Sequence, residues 1–354
     1  MTVIGILMEN DKREPIKILG AGISGLSAAI PLAKNRYKVE VFEKNSHAGG
    51  RFKRDFQGLR NFGNINIDPI KEFEKLGVYI KPYKKLMRIV RYSRYHSFEV
   101  VSSNKPIYYL VLRGENKNSI DSQLANLAID QGANINYNTK LSINDANIVA
   151  TGPLQADSFA YGSVYEDTKI DNTGHVFLDK NYSPDGYFYV LPGEKKGEAV
   201  VANCTSDYTF GVHTIKSLYN KMIQKNEVLK DLLDGATRKT VQGSIGCCTL
   251  LDKPYQHGRY YVGEAAGLQD VTAGFGIRHA VISGYLAAQS ILIGENYNEH
   301  ITKTFRSQLD FERKRSENFK KRTNDDLDKI FRSINEKFSH ELTIEEYESL
   351  RGDI

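Results

Sequence analysis

Apolar positions Ile16, Ile18 and Leu19 run directly into a glycine-rich stretch, after which Leu26, Ala29, Ile30 and Ala33 recur at helical spacing. The pattern predicts strand, tight turn and helix. Residues 38–43 then alternate, with Val39, Val41 and Phe42 apolar against Lys38, Glu40 and Glu43, as a second strand would. Two strands joined through a helix make a βαβ unit, which requires a parallel pair and a right-handed crossover. Pro31 lies inside the predicted helix and predicts a kink, because an interior proline costs about 3 kcal/mol.

Strand-like segments rich in aromatic and β-branched residues follow at 88–92, 98–101 and 107–112, where the chain leaves the first sheet. Ser119 is placed to cap a helix carrying Ile120, Leu124, Leu127 and Ala128 and stopping at Gly132. Residues 147–150 read as a strand returning to the first sheet. From 158 to 255 strand signals dominate, and residues 186–192 and 198–202 around the turn 193–197 predict a hairpin in a second sheet. Residues 260–263 lead back to the first domain, and 276–293, with Ala280, Ser283, Gly284, Ala287 and Ala288, predict a closely packed helix. Helical spacing of Phe305, Leu309, Leu327, Ile330 and Ile334 marks the C-terminal part. The predicted fold class is α/β, with a Rossmann-like βαβ domain, a discontinuous substrate domain on a second, mixed β-sheet, and a helical C-terminus. The first domain takes residues 1–85, 116–157 and 256–295, the second 86–115 and 158–255, and the helical segment 296–354.

A length of 354 residues suits two domains, and 40% hydrophobic with 26% charged residues excludes disorder as the main state. The longest stretches without Lys, Arg, Asp or Glu, 18–33 and 279–294, are too short for the roughly 20 apolar residues of a membrane-spanning helix. The apolar run at residues 3–8 meets Glu9, Asn10 and Asp11 instead of following a basic flank, so a cytoplasmic location is expected. Cys204, Cys247 and Cys248 form an odd set without C-x-x-C spacing, which argues against a disulfide framework or zinc site. They read as packing thiols before a redox pair. Charge is concentrated: residues 44–94 hold 13 basic and 4 acidic side chains, and residues 81–94 hold six basic and none acidic. Such a strip is either a solvated face or a contact for an anionic headgroup or membrane surface.

Gly20, Gly22 and Gly25 form G-x-G-x-x-G between strand and helix. The first glycine makes the turn, the second admits a pyrophosphate to the backbone, and the third packs helix on strand. Helix N-terminal N–H groups complement the phosphates. Glu43, 23 residues after Gly20, is placed at a strand end to accept from ribose hydroxyls and to disfavour a 2′-phosphate, leaving FAD or NAD. Further segments are Gly49-Gly50-Arg51, a stretch over 261–267, and Gly274-Phe275-Gly276-Ile277. With these the chain resembles the FAD-dependent geranylgeranyl reductase family, within the group that includes p-hydroxybenzoate hydroxylase. The resemblance spans about residues 16–293 and includes Arg113 with Asp121 and Leu124, and residues 186–192, similar to the family's G-Y-x-W-x-F-P.

The resemblance implies FAD as cofactor, held by Gly20, Gly22, Ile23, Ser24, Gly25, Glu43, Lys44, Gly50, Arg51 and Arg113. It adds Thr151, Gly152, Gly263, Glu264, Gly274, Gly276 and Ile277. It further implies a hydrophobic small-molecule or lipid substrate, reduced at its double bonds by hydride from the flavin. Two departures stand out: Glu264 replaces the family's usual aspartate, and Thr151 replaces the aspartate of its A-D-G. The second removes a carboxylate associated with pyridine-nucleotide contacts, and no second G-x-G-x-x-G follows a strand, so the electron donor is left open. Some archaeal members carry a cysteine after the second strand; residues 45–51 have none, and no catalytic residue is assigned. Tyr187, Tyr189, Leu191 and Pro192 read either as one face of a core strand or as an apolar wall for substrate. His279 reads as a packing histidine. No Ser/His/Asp set, metal cluster, Walker loop or nucleic-acid motif stands out. An aromatic monooxygenase and a non-enzymatic prenyl-binding escort remain as alternatives on the same fold.

Overall fold

The computed structural model describes residues 14–63, 67–206, 211–338 and 340–350. The apolar run at 3–8 lies outside them. The strand Ile16–Leu19 pairs in parallel with Val39–Phe42 on one side and Ile148–Val149 on the other, as the βαβ pattern requires. The sheet has six strands in the order Tyr255–Gln256, Arg259–Tyr261, Ile148–Val149, Ile16–Leu19, Val39–Phe42, Asn134–Asn136. The helix Ile23–Lys34 runs unbroken through Pro31. The expected kink carries no break because Pro31 is in the last turn, where Asn35 donates its backbone N–H and its side-chain Nδ2 (2.8 Å) to the Pro31 carbonyl. This helix packs on Ile277–Ile293 so tightly that a Cβ at Gly284 would lie 2.1 Å from the Ser24 carbonyl oxygen. Small residues let the two backbones approach, and the six-stranded sheet lies beneath them.

The second sheet has eight strands: Thr237–Gly246, Ser158–Glu166, Ala199–Thr205, Gly186–Pro192, Thr173–Phe177, Arg88–Tyr92, Ser97–Val101, Glu341–Thr343. It is mixed, with parallel pairings between Thr173–Phe177 and Arg88–Tyr92 and between Glu341–Thr343 and Ser97–Val101. The predicted hairpin is present, with Gly193 N–H on the Glu198 carbonyl at 2.7 Å. Alternation along Gly186–Pro192 sends Phe188 and Val190 into a core with Phe177, Tyr219 and Met222, beneath the helix Gly211–Lys225. Tyr187, Tyr189 and Leu191 face the other way.

Two features depart from the sequence expectation. The strand expected at 107–112 forms as Tyr108–Arg113 and joins neither large sheet: it pairs with Asp55–Arg60 and Lys84–Leu86 in a separate three-stranded antiparallel sheet. The C-terminal segment is helical over Tyr297–Lys321, Asn324–Phe338 and Ile344–Ser349, yet contributes Glu341–Thr343 as an edge strand of the large sheet. Half of the basic strip has partners in the fold, two of its arginines on the C-terminal segment. Arg94 pairs with Asp328 at 3.0 Å and with Asp325, Arg91 donates to the Tyr347 hydroxyl, and Arg88 pairs with Glu99 at 3.3 Å. The cysteines form no disulfide.

Candidate functional site

Gly20 has φ +107°, and a Cβ there would lie 2.4 Å from the Ala150 carbonyl oxygen, so the strand end and turn fit only glycine. A Cβ on Gly25 would be 2.2 Å from the Gly20 oxygen; this glycine packs helix on strand and lies outside the cavity wall. Gly22 has open space, its nearest such neighbour at 4.0 Å. The helix begins there without a side-chain cap or an acidic residue in its first turn, and Ile23 and Ser24 line the cavity. Uncapped N–H groups with the positive end of the helix dipole form an anion site.

A second helix end opens into the same cavity. Ile277–Ile293 starts at Gly276, again with no side-chain cap and no acidic first turn. Gly274 before it has φ +68° and nothing within 4 Å of a Cβ. Gly276, Ile277 and Gly274 all line the cavity, whereas Gly263 stands behind it, φ +58°, donating its N–H to Ser283 Oγ at 2.9 Å. Glu264 at the wall accepts from Arg51 at 3.0 Å and Gln269 Nε2 at 3.1 Å.

Glu43 is buried at the end of Val39–Phe42, its Oε2 accepting from Ala21 N at 3.0 Å and its Oε1 from Asn45 N and Nδ2 at 2.9 and 2.7 Å. Those bonds fix a carboxylate at the cavity wall, where Lys44, Gly50, Thr151 and Gly152 also lie. Arg51 ties the glycine loop to the large sheet, donating to Ser244 Oγ at 2.8 Å and to the Ile245 carbonyl. Arg113 lines the cavity too, but its guanidinium fork is bound bidentately by Asp121 at 2.8 and 3.0 Å, which makes it a positioning residue. From these elements a cavity of about 740 Å3 reaches across to Tyr187, Tyr189 and Leu191 on the large sheet. Pro192 is off the wall, its carbonyl accepting from the Tyr83 hydroxyl at 2.8 Å. Tyr187 donates to the Ala273 carbonyl at 2.6 Å, which joins the large sheet to the turn before the second uncapped helix.

Comparison with known proteins gives a family, a relative and a fold. A family model described as an NAD(P)-binding Rossmann-like domain matches residues 18–63. A digeranylgeranylglycerophospholipid reductase of Methanosphaerula palustris is 31% identical over 124 residues, 35% of this chain and 30% of the relative. A geranylgeranyl bacteriochlorophyll reductase-like structure from Thermoplasma acidophilum superimposes with a TM-score of 0.73 at 19% identity, covering 92% of this chain and 96% of its own. The fold is thus the one seen in that reductase-like structure, and the sequence likeness to the curated reductase covers about a third of the chain. A flavin-dependent brominase shares the fold more distantly, with a TM-score of 0.61 at 13% identity over 85% of this chain and 83% of its own. The aligned part spans under a third of the curated reductase.

Four cavity residues carry no motif of their own in the sequence. Asp55, Gln57, Cys204 and Phe275 all line the cavity. Burial, only partly offset by the Gln57 hydrogen bond and Arg113, pushes the Asp55 carboxyl up to about 6. Burial likewise pushes the Cys204 thiol up to about 12, which leaves it a poor nucleophile, and holds the Tyr187 and Tyr189 hydroxyls well above their ordinary range. Asp55 follows Arg51, Lys53 and Arg54, so the sequence around it reads as a solvated basic face. Only the pairing of Asp55–Arg60 with Tyr108–Arg113 turns it inward. His279 is buried beside the Phe305 ring at 5.1 Å, which fits the packing reading.

Proposed function

We propose that this chain is an FAD-dependent oxidoreductase that saturates carbon–carbon double bonds of a polyprenyl lipid of the geranylgeranyl type. The observation that carries the reading is one continuous cavity running from the glycine turn and Glu43 to the aromatic face of the large sheet. The residues fit FAD. The uncapped helix starting after Gly22 takes the pyrophosphate, Glu43 takes the ribose hydroxyls, and the uncapped helix starting after Gly276 stabilises negative charge on the reduced ring. Bound flavin supplies the hydride. The chain holds the substrate against Tyr187, Tyr189 and Leu191 and excludes water. An isolated alkene is weakly polarised, so an apolar wall that aligns it serves the reaction better than a charged pocket would.

Anaerobic incubation with chemically reduced flavin and a geranylgeranyl lipid tests this reading by mass spectrometry, with a gain of one H2 per double bond expected. Gly276→Asp is expected to retain the fold and lose the product, because a carboxylate there opposes the anionic reduced ring. Oxygen-dependent hydroxylation of an aromatic acid, with no prenyl saturation, would overturn the reading in favour of a monooxygenase. Purified protein that is colourless and takes up no FAD would leave only the prenyl-binding escort.

A further inference from the structure

Reduction of an alkene needs a proton as well as a hydride, and the cavity wall offers few acids. Glu43 is anchored by three N–H donors at the dinucleotide end. Glu264 pairs with Arg51, Asp185 with Lys180 at 3.2 Å, and Asp270 with Arg60 at 3.0 Å. Asp55 alone of the cavity carboxyls on the substrate side has no cation within salt-bridge distance among the described residues. The reason is an interposed amide. Gln57 Nε2 donates to Asp55 Oδ2 at 2.7 Å while its Oε1 accepts from Arg113 at 2.9 Å, and Asp121 holds the rest of that guanidinium.

Buried carboxyls without a cation favour the protonated form. The Arg113 charge beyond Gln57 and a hydrogen bond from the Gln242 side chain act against burial but do not outweigh it. The other groups facing Asp55 are Tyr83, Tyr189 and Cys204, all neutral at ordinary pH with burial and the Asp55 carboxylate itself opposing their ionisation. We propose that Asp55 is the acid that delivers the proton to the substrate double bond, an inference that rests on the reductase reading above. In the balanced step the π pair of the alkene takes the Asp55 proton at one carbon, and a hydride from the reduced flavin bonds the other. Asp55 is left as carboxylate and regains a proton from solvent between turnovers, while the two electrons of the hydride would come from reduced flavin when it is bound. A carboxylic acid kept neutral beside a hydrocarbon is suited to this role, and a general acid typically contributes a hundredfold or more in rate.

The test compares wild type with Asp55→Asn, which keeps the shape and the Gln57 contact, and with Asp55→Glu. Expected for Asp55→Asn are unchanged FAD content and flavin spectrum, and single-turnover saturation of a geranylgeranyl lipid slower by about a hundredfold or more. Loss of the wild-type decline in rate above about pH 6 is also expected, with partial recovery in Asp55→Glu. A readout independent of turnover is thermal stability. The folded-state value of about 6 lies above the ordinary 3.8, so wild type should lose stability relative to Asp55→Asn as pH rises from about 4 through 6, with the gap level beyond. Equal rates in wild type and Asp55→Asn, with saturation intact, would overturn the acid role and leave the reductase reading standing. Loss of flavin from Asp55→Asn would overturn it as well, by showing a structural role. No saturation by wild type with any prenyl lipid would overturn the reductase reading and the acid role with it.

Discussion

The dinucleotide side and the large-sheet side of the cavity are built on opposite principles. On the first, the wall is set mainly by backbone: glycines at 20 and 22, with 25 behind them, a strand-end carboxylate, and two uncapped helix starts. On the second, the wall is made by side chains on one face of a strand whose other face is ordinary core, since Tyr187 and Tyr189 alternate with Phe188 and Val190. A backbone site tolerates little change at a few positions and is indifferent to many others. A side-chain wall spreads its work over many contacts, so single changes there are graded.

The sharpest way to break this contrast is Gly25→Val. The new side chain would have to occupy space 2.2 Å from the Gly20 oxygen, and loss of soluble protein or of all bound flavin is expected by absorbance of the purified fraction. Next comes Asp121→Asn, which strips the bidentate partner from buried Arg113; removing one member of a buried pair costs about 3–5 kcal/mol, read as a lower denaturant midpoint. His279→Phe probes the packing between the helices Ile277–Ile293 and Tyr297–Lys321. Burial first, with Arg278 and Arg60 adding and Glu312 opposing, lowers the His279 ring to about 3. A depressed value means stability that is complete above the ordinary 6.5 and lost as pH falls toward 3. Wild type should therefore weaken relative to His279→Phe as pH falls across that window, by several kcal/mol at most, with the gap between them level above about pH 7. On the large-sheet side, Tyr187→Phe removes only the bond to Ala273, with a loss of about 1 kcal/mol expected and flavin retained. Smallest is Arg88→Gln: its pair with Glu99 is exposed on both sides, and a change under about 1 kcal/mol is expected in the same denaturation assay.

Much of the dinucleotide half was readable in advance, because its signals are local. Each glycine answers to a turn or a contact within its own βαβ unit, and Ser119 does cap its helix, accepting from Ser122 N at 3.1 Å. The hairpin over Gly186–Pro192 and Ala199–Thr205 was readable for the same reason. The third sheet was not, since Asp55–Arg60 and Tyr108–Arg113 pair across about fifty residues and neither strand carries a mark of its partner. Nor was the C-terminal strand Glu341–Thr343, a short polar piece that has strand character only through its parallel pairing with Ser97–Val101.

The sequence by itself determined the βαβ unit, the dinucleotide turn, the acidic strand end and the alternation of the aromatic strand, because period and spacing are properties of neighbouring residues. Tertiary structure decided which acids meet cations. It matched Arg51 to Glu264 across 213 residues, Arg60 to Asp270 across 210, and Arg94 to the helix Asn324–Phe338. It also set Gln57 between Arg113 and Asp55. Whether a carboxyl is a solvated charge, a structural pair or a neutral acid depends on burial and on the nearest opposite charge, and both are fixed only when distant segments pack.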